Sequence, residues 1–141
     1  MKKMHLFFIS LPFILSACQQ DYLRGEGNVI TQDRSIAVQK AFEAIEINGS
    51  TDLSIRYGEE PGLLISGYEN LLNVYRTAVE GDVLVLEYPE HYNVRNDNLK
   101  IILTLNSAPD VYLNGSNKVA FKGPFPALES MTASINGTGR I

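Results

Sequence analysis

Three times in this chain an apolar residue runs directly into Asn-Gly and a hydroxyl residue: Ile47-Asn48-Gly49-Ser50, Leu113-Asn114-Gly115-Ser116 and Ile135-Asn136-Gly137-Thr138. The intervals between them are 66 and 22 residues, and the longer is three times the shorter. Asn70 stands one interval after Asn48; the next place falls on Tyr92, beside Asn93, where the pattern blurs. About 22 residues make one coil of a parallel β-helix, three short strands and three turns, with strands stacked about 4.8 Å apart. Corners that tight need left-handed backbone, which Gly and Asn accept, and stacked corner asparagines can bond as a side-chain ladder. The recurrence therefore predicts an all-β solenoid with Asn48, Gly49, Asn114, Gly115, Asn136 and Gly137 as its structural corner residues. The alternative is a β-sandwich in which Asn-Gly recurs only as the favoured hairpin dipeptide. The same triplets match the N-glycosylation acceptor pattern, but turn chemistry accounts for them.

The strands themselves are legible. Ala44-Ile45-Glu46-Ile47 alternates, as does Asp52 to Tyr57, with Leu53, Ile55 and Tyr57 on one face. Leu63 to Ser66, Leu99 to Leu105, Val111 to Leu113, Val119 to Phe121 and Ala133 to Ile135 are further short apolar runs. Tyr75 to Glu80 and Val83 to Tyr88 flank Gly81-Asp82, a hairpin turn. Helical periodicity is weak: Val38 to Ala44 allows one turn, with Phe42 as the plug that begins the first packed layer.

The first residues carry a different signal. Lys2 and Lys3 precede an apolar run from Leu6 to Leu15, and Ser16-Ala17 leads to Cys18, the one cysteine. A run of that length suits a secretory leader of about 7–15 apolar residues and falls short of the roughly 20 a spanning helix needs. Residues 1–17 thus resemble a bacterial lipoprotein signal, which implies diacylglycerol on Cys18 and an acyl chain on its amine; two or more chains anchor stably where one does not. Gln19, and no aspartate, follows the cysteine; by resemblance this favours an outer-membrane lipoprotein of the cell envelope, on its periplasmic side or at the cell surface. Residues 18–26 read as a lipid-anchored polar tether and residues 27–141 as one β-solenoid domain. The chain's formal net charge of −4 becomes more negative without Lys2 and Lys3. The charges are scattered along the sequence, so no basic block for nucleic acid is present, and one cysteine excludes an internal disulfide.

Read in order, these residues resemble the GIN domain family of auto-transporter adhesin head domains, formerly a domain of unknown function. The resemblance is carried by Gly25-Glu26-Gly27-Asn28-Val29, by Arg34, and by Phe42-Glu43-Ala44-Ile45-Glu46-Ile47-Asn48-Gly49-Ser50-Thr51-Asp52-Leu53-Ser54-Ile55 with Gly58. Gly67-Tyr68-Glu69-Asn70-Leu71-Leu72, the Gly81-Asp82-Val83-Leu84 turn, Leu113 to Ser116 and Ile135 to Gly139 continue it. It covers about Gly25 to Ile141. The resemblance implies a right-handed parallel β-helix on an exported or lipid-anchored protein, with no known catalytic residues. Family members continue through more coils, whereas this sequence stops at Arg140-Ile141 just after a corner. That predicts an incomplete domain, or a short one capped by another chain; an open solenoid end would favour end-to-end association.

Reactive constellations are sparse. Outside the leader the one histidine is His91, in Pro89-Glu90-His91-Tyr92-Asn93, which reads as a solvated loop. No Gly-x-Ser-x-Gly elbow, phosphate-binding glycine loop, zinc-type Cys/His cluster or calcium-loop spacing occurs. No catalytic residue, metal site or cofactor is expected. Tyr22, Tyr57, Tyr68, Tyr75, Tyr88, Tyr92 and Tyr112 offer faces for stacking on sugars or partners, and His91, Tyr92 and Asn93 form the most loop-like surface patch. The sequence thus predicts a lipid-anchored envelope protein that binds without catalysis, its partners the membrane through Cys18 and a cell-surface glycan or envelope protein. The alternatives are a polysaccharide lyase or hydrolase on a β-helix scaffold, which needs two converging acids, and a structural envelope-assembly protein.

Overall fold

The computed structural model describes residues 21–126 and 128–141. Cys18 and the leader lie outside the described residues. The chain is all-β, as the alternation requires, but its two five-stranded sheets are mixed.

The first sheet is built on β3 (Ala44–Gly49). On one side β3 pairs in parallel with β10 (Asp110–Gly115), which pairs in parallel with β12 (Ala133–Gly137). On its other side β3 pairs in parallel with β7 (Val83–Glu87), and β6 (Arg76–Glu80) closes the sheet as the antiparallel arm of the expected hairpin. The second sheet repeats the plan around β4 (Asp52–Tyr57), with β11 (Lys118–Lys122) and β9 (Lys100–Leu105) parallel on either side. Beyond β9 lie β5 (Gly62–Tyr68) and β2 (Val29–Asp33), both antiparallel to their neighbours. A separate parallel pair joins β1 (Asp21–Arg24), within the expected tether, to β8 (Tyr92–Arg95).

Inward residues of both sheets form one core: Ile45, Ile47, Leu84, Leu86, Val111 and Leu113 from the first, Leu53, Ile55, Ile65, Ile101, Leu103 and Val119 from the second. Each large aliphatic removed from water there contributes about 1.5–3 kcal/mol. Phe42 packs against this core, and the single turn before it is a 3-10 turn at Ser35–Val38.

The corners explain the recurrence. Between β3 and β4, and again between β10 and β11, the chain crosses from one sheet to the other in two residues that follow a strand-ending glycine. Gly49, Gly115 and Gly137 have φ of 115°, 113° and 128°, a region that L residues avoid. The corners stack: Ser116 N–H donates to Gly49 O at 2.9 Å, and Thr138 N–H to Gly115 O at 3.0 Å. A Cβ on Gly115 would overlap the Gly49 carbonyl, and one on Gly137 would overlap that of Gly115; a Cβ on Gly49 would meet nothing. Asn48, Asn114 and Asn136 are consecutive register partners, and Asn114 Nδ2 donates to Asn48 Oδ1 at 2.8 Å.

The right-handed parallel β-helix is nonetheless overturned. Neighbours separated by the 22-residue interval occur at β10 and β12, but the 66-residue interval from Asn48 to Asn114 does not hold three coils: β10 lies directly against β3. The intervening chain forms the antiparallel strands β5 and β6, a short helix α1 (Glu69–Leu72), and the β7–β9 stretch on the opposite side of β3 and β4. Asn70, at the expected second corner, sits in α1. Its Nδ2 donates to Arg24 O at 2.7 Å and its Oδ1 accepts from Glu26 N–H at 3.2 Å, so it clamps the start of the domain. Arg34 fastens the other flank, donating to Leu72 O at 2.5 Å and Tyr75 O at 2.6 Å. No helix among the described residues is long and apolar enough to cross a membrane.

Stacked glycines predict an unequal pair of substitutions. Gly49→Ala bears only the backbone penalty, about 1–3 kcal/mol. Gly115→Ala adds a steric overlap of about 1–3 kcal/mol, so its urea midpoint should fall clearly below that of Gly49→Ala. Equal midpoints would contradict the stack.

Candidate functional site

The tight corner is absent at one level of the stack. Glu87 is the register partner of Asn48, and Lys100 that of Asp52. Residues 88–99 therefore stand where Gly49-Ser50-Thr51 stand one level away. This excursion, which contains β8, lies beside the β3–β4 corner and leaves a cleft of about 350 Å³ between them. Asn48 and Ser50 line it from the corner, and Tyr88, Glu90, Tyr92 and Asp97 from the excursion.

Each wall has a physical reason for its position. Tyr92 and Val94 alternate onto the cleft side of β8, which sends Asn93 to the opposite face. His91 is exposed and its ring lies against that of Tyr92, centroids 4.1 Å apart. The expected patch of His91, Tyr92 and Asn93 thus contributes one residue, Tyr92, to the cleft lining. Asn48 is held by Glu87, whose Oε2 accepts from its Nδ2 at 2.9 Å, and Glu87 is held by Arg76 at 2.7 Å. Behind the cleft, Tyr75 and Tyr88 meet edge to face at 4.7 Å, and the Tyr75 hydroxyl lies 3.5 Å from Thr51 Oγ1. Burial pushes both phenols well above their ordinary range, so both stay neutral.

Asp97 is the residue that sequence reasoning missed. Asn96, the one non-glycine residue with positive φ (55°) among the described residues, turns the chain just before it. Asp97 Oδ1 accepts from Leu99 N–H at 2.9 Å and from the Tyr88 hydroxyl at 3.1 Å. Desolvation nevertheless raises its pKa, outweighing these two bonds. The signal available was weak: a polar Asn-Asp-Asn run before an apolar strand. Among the described residues no group of three or more His, Cys, Asp or Glu is placed to hold a metal ion.

The outer face of the second sheet forms a different concavity, of about 300 Å³. Alternation places Asp52, Ser54 and Arg56 of β4, Lys100 and Ile102 of β9, and Lys118, Ala120 and Lys122 of β11 on this face, and their inward neighbours are core.

A raised folded-state pKa means that native Asp97 holds its proton more tightly than the unfolded chain does. The native state therefore binds more protons in the window above 3.8, and the Asp97 contribution to stability falls as pH rises through it. Asp97→Asn keeps the Oδ1 acceptor without the charge. It should leave stability at pH 7 unchanged or higher and flatten its dependence on pH above 3.8, read from thermal melts; a steeper dependence would contradict the burial.

Comparison with known proteins agrees with this architecture. No curated protein matches the sequence. A "putative adhesin" from Bacteroides fragilis superposes with a TM-score of 0.66 at 20% identity, over 83% of this chain and 53% of that one. A "putative lipid binding protein" from Parabacteroides distasonis gives 0.63 at 22% identity, over 72% and 44%. A "putative adhesin" from Parabacteroides merdae gives 0.52 at 21%, over 70% and 38%. The chain thus spans about half or less of the length of these structures. The sequence profile described as "putative auto-transporter adhesin, head GIN domain" matches residues 41–141, and the chain belongs to that family.

Proposed function

We propose that this chain is a non-enzymatic, glycan-binding domain of the bacterial cell envelope, held to the outer membrane by lipid on Cys18. The observation that carries the binding reading is the cleft, which sets Tyr88 and Tyr92 beside Asn48, Glu90 and Asp97. Sugar rings offer apolar C–H faces and hydroxyl edges. An aromatic face matches the first, and amide and carboxylate oxygens the second. A volume of about 350 Å³ lies within the range of ligand clefts, about 300–1,000 Å³. The family description and the two neighbours named as adhesins point the same way. Placement in the envelope rests on the leader and Cys18; metabolic labelling with palmitate tests it, and label retained in Cys18→Ser would contradict it.

Titration of the purified protein with a panel of neutral oligosaccharides (malto-, cello- and manno-series), followed by calorimetry, tests the binding reading. At least one series should bind, and Tyr92→Ala should weaken it about two- to tenfold, the loss of one ring contact of about 0.5–1.5 kcal/mol. Binding that survives Tyr92→Ala unchanged, or none across the panel, would overturn it.

A further inference from the structure

Arg56, Lys100, Lys118 and Lys122 surround the concavity on the outer face of the second sheet, with Asp52 as the one acidic residue in its lining. The formal net charge of the chain is −4, so this face reverses the sign of the whole. None of the four cations forms an ion pair among the described residues; the pairs there are those of Arg76 with Glu80 and Glu87. The arrangement is fixed by register. One row across the sheet runs Lys118, Asp52, Lys100; the next runs Ala120, Ser54, Ile102; the third runs Lys122, Arg56, Thr104. Two cationic rows about 13 Å apart thus flank a row of smaller or uncharged side chains, four residues along each strand. The result is a trough with basic banks and a low floor.

We infer that this trough binds an acidic polysaccharide, a chain of uronic-acid type whose carboxylates meet the two cationic rows while its rings lie over Ala120, Ser54 and Ile102. A concave floor between raised cations accommodates a chain, whereas a flat anionic bilayer would touch only the banks. Lysines also suit this ligand, since they grip carboxylates as mobile point charges and demand no single geometry. A smaller pocket lined by Ser50, Asp52, Asp97 and Lys100 shares residues with both the trough and the tyrosine cleft. The inference rests on the glycan-binding reading for the class of polymer, but on separate residues.

Polygalacturonate oligomers, titrated into the purified protein by calorimetry, test it. Binding should weaken on the order of tenfold between 50 and 200 mM NaCl, as contacts between several cations and a polyanion do. The double substitution Lys118→Gln/Lys122→Gln, both exposed and so harmless to the core, should weaken binding on the order of tenfold at low salt. Tyr92→Ala should leave polygalacturonate binding unchanged, which separates this site from the cleft. Salt-independent binding, or binding untouched by the double substitution, would overturn the assignment. So would stronger retention on phosphatidylglycerol vesicles than on polygalacturonate, since that outcome would make the ligand a membrane surface. If neutral sugars fail to bind while polygalacturonate binds as described, the cleft reading falls and the trough stands.

Discussion

The cleft depends on one interaction, the carboxylate of Glu87 at the end of the asparagine ladder. Arg76 fixes Glu87 from β6, Asn48 donates to Glu87 from β3, and Asn114 donates to Asn48 from β10. The amides of Asn48 and Asn114 both direct their N–H groups toward carboxylates, Asn48 toward Glu87, and both toward Glu46 Oε1 at 3.1 and 3.4 Å. Each bond therefore polarises the next, and the charge-assisted end is stronger than an amide pair alone. The line runs across four strands and ends on an ion pair that closes the sheet. It holds the β3 and β10 corners in one register, and the stacked glycines permit no Cβ in the space between the two levels.

That registered edge is what makes a cleft out of residues 88–99. An excursion beside a loose edge would collapse onto it; here Asn48 and Ser50 form a fixed wall, and the opposite wall is stiffened by Tyr88, Tyr75 and Asp97. Burial that raises the Asp97 pKa is the cost of placing a carboxylate in that wall, a pattern common at functional sites. The trough follows from the same register on the other sheet. Once β11, β4 and β9 are in step, alternation alone gathers Lys118, Lys122, Arg56 and Lys100 on one face, though they are 66 residues apart at most in sequence.

Much of this was legible. The spacing of Asn48, Asn114 and Asn136 located three corners that do stack in register; period-2 alternation located β3 and β4, apolar runs located β9 and β10, and the Gly81-Asp82 turn located the β6–β7 hairpin. What the spacing could not convey is which strands are neighbours. An interval of 66 fits three coils of 22, and it also fits two adjacent strands with antiparallel strands and an excursion inserted between them, which is the structure found. Asn70 satisfied the arithmetic yet serves as a clamp on Arg24 and Glu26. The blurred place at Tyr92 was the informative one, because a missing corner is where the cleft opens. The charges looked scattered since a sequence reports position along the chain, whereas Lys118 and Lys122 became a bank only through the register of β11 with β4.

The most direct measurement is a double-mutant cycle between Glu87 and Asn114, read as urea-denaturation stability of Glu87→Ala, Asn114→Ala and the pair. The two residues lie two strands apart, about 10 Å, and share only Asn48. Residues at that separation without a common partner are additive within about 0.3–0.5 kcal/mol. A ladder polarised by its terminal carboxylate predicts a coupling above about 0.5 kcal/mol. Additive losses would mean that the amides bond pairwise, with no line of force from Glu87 to the corners.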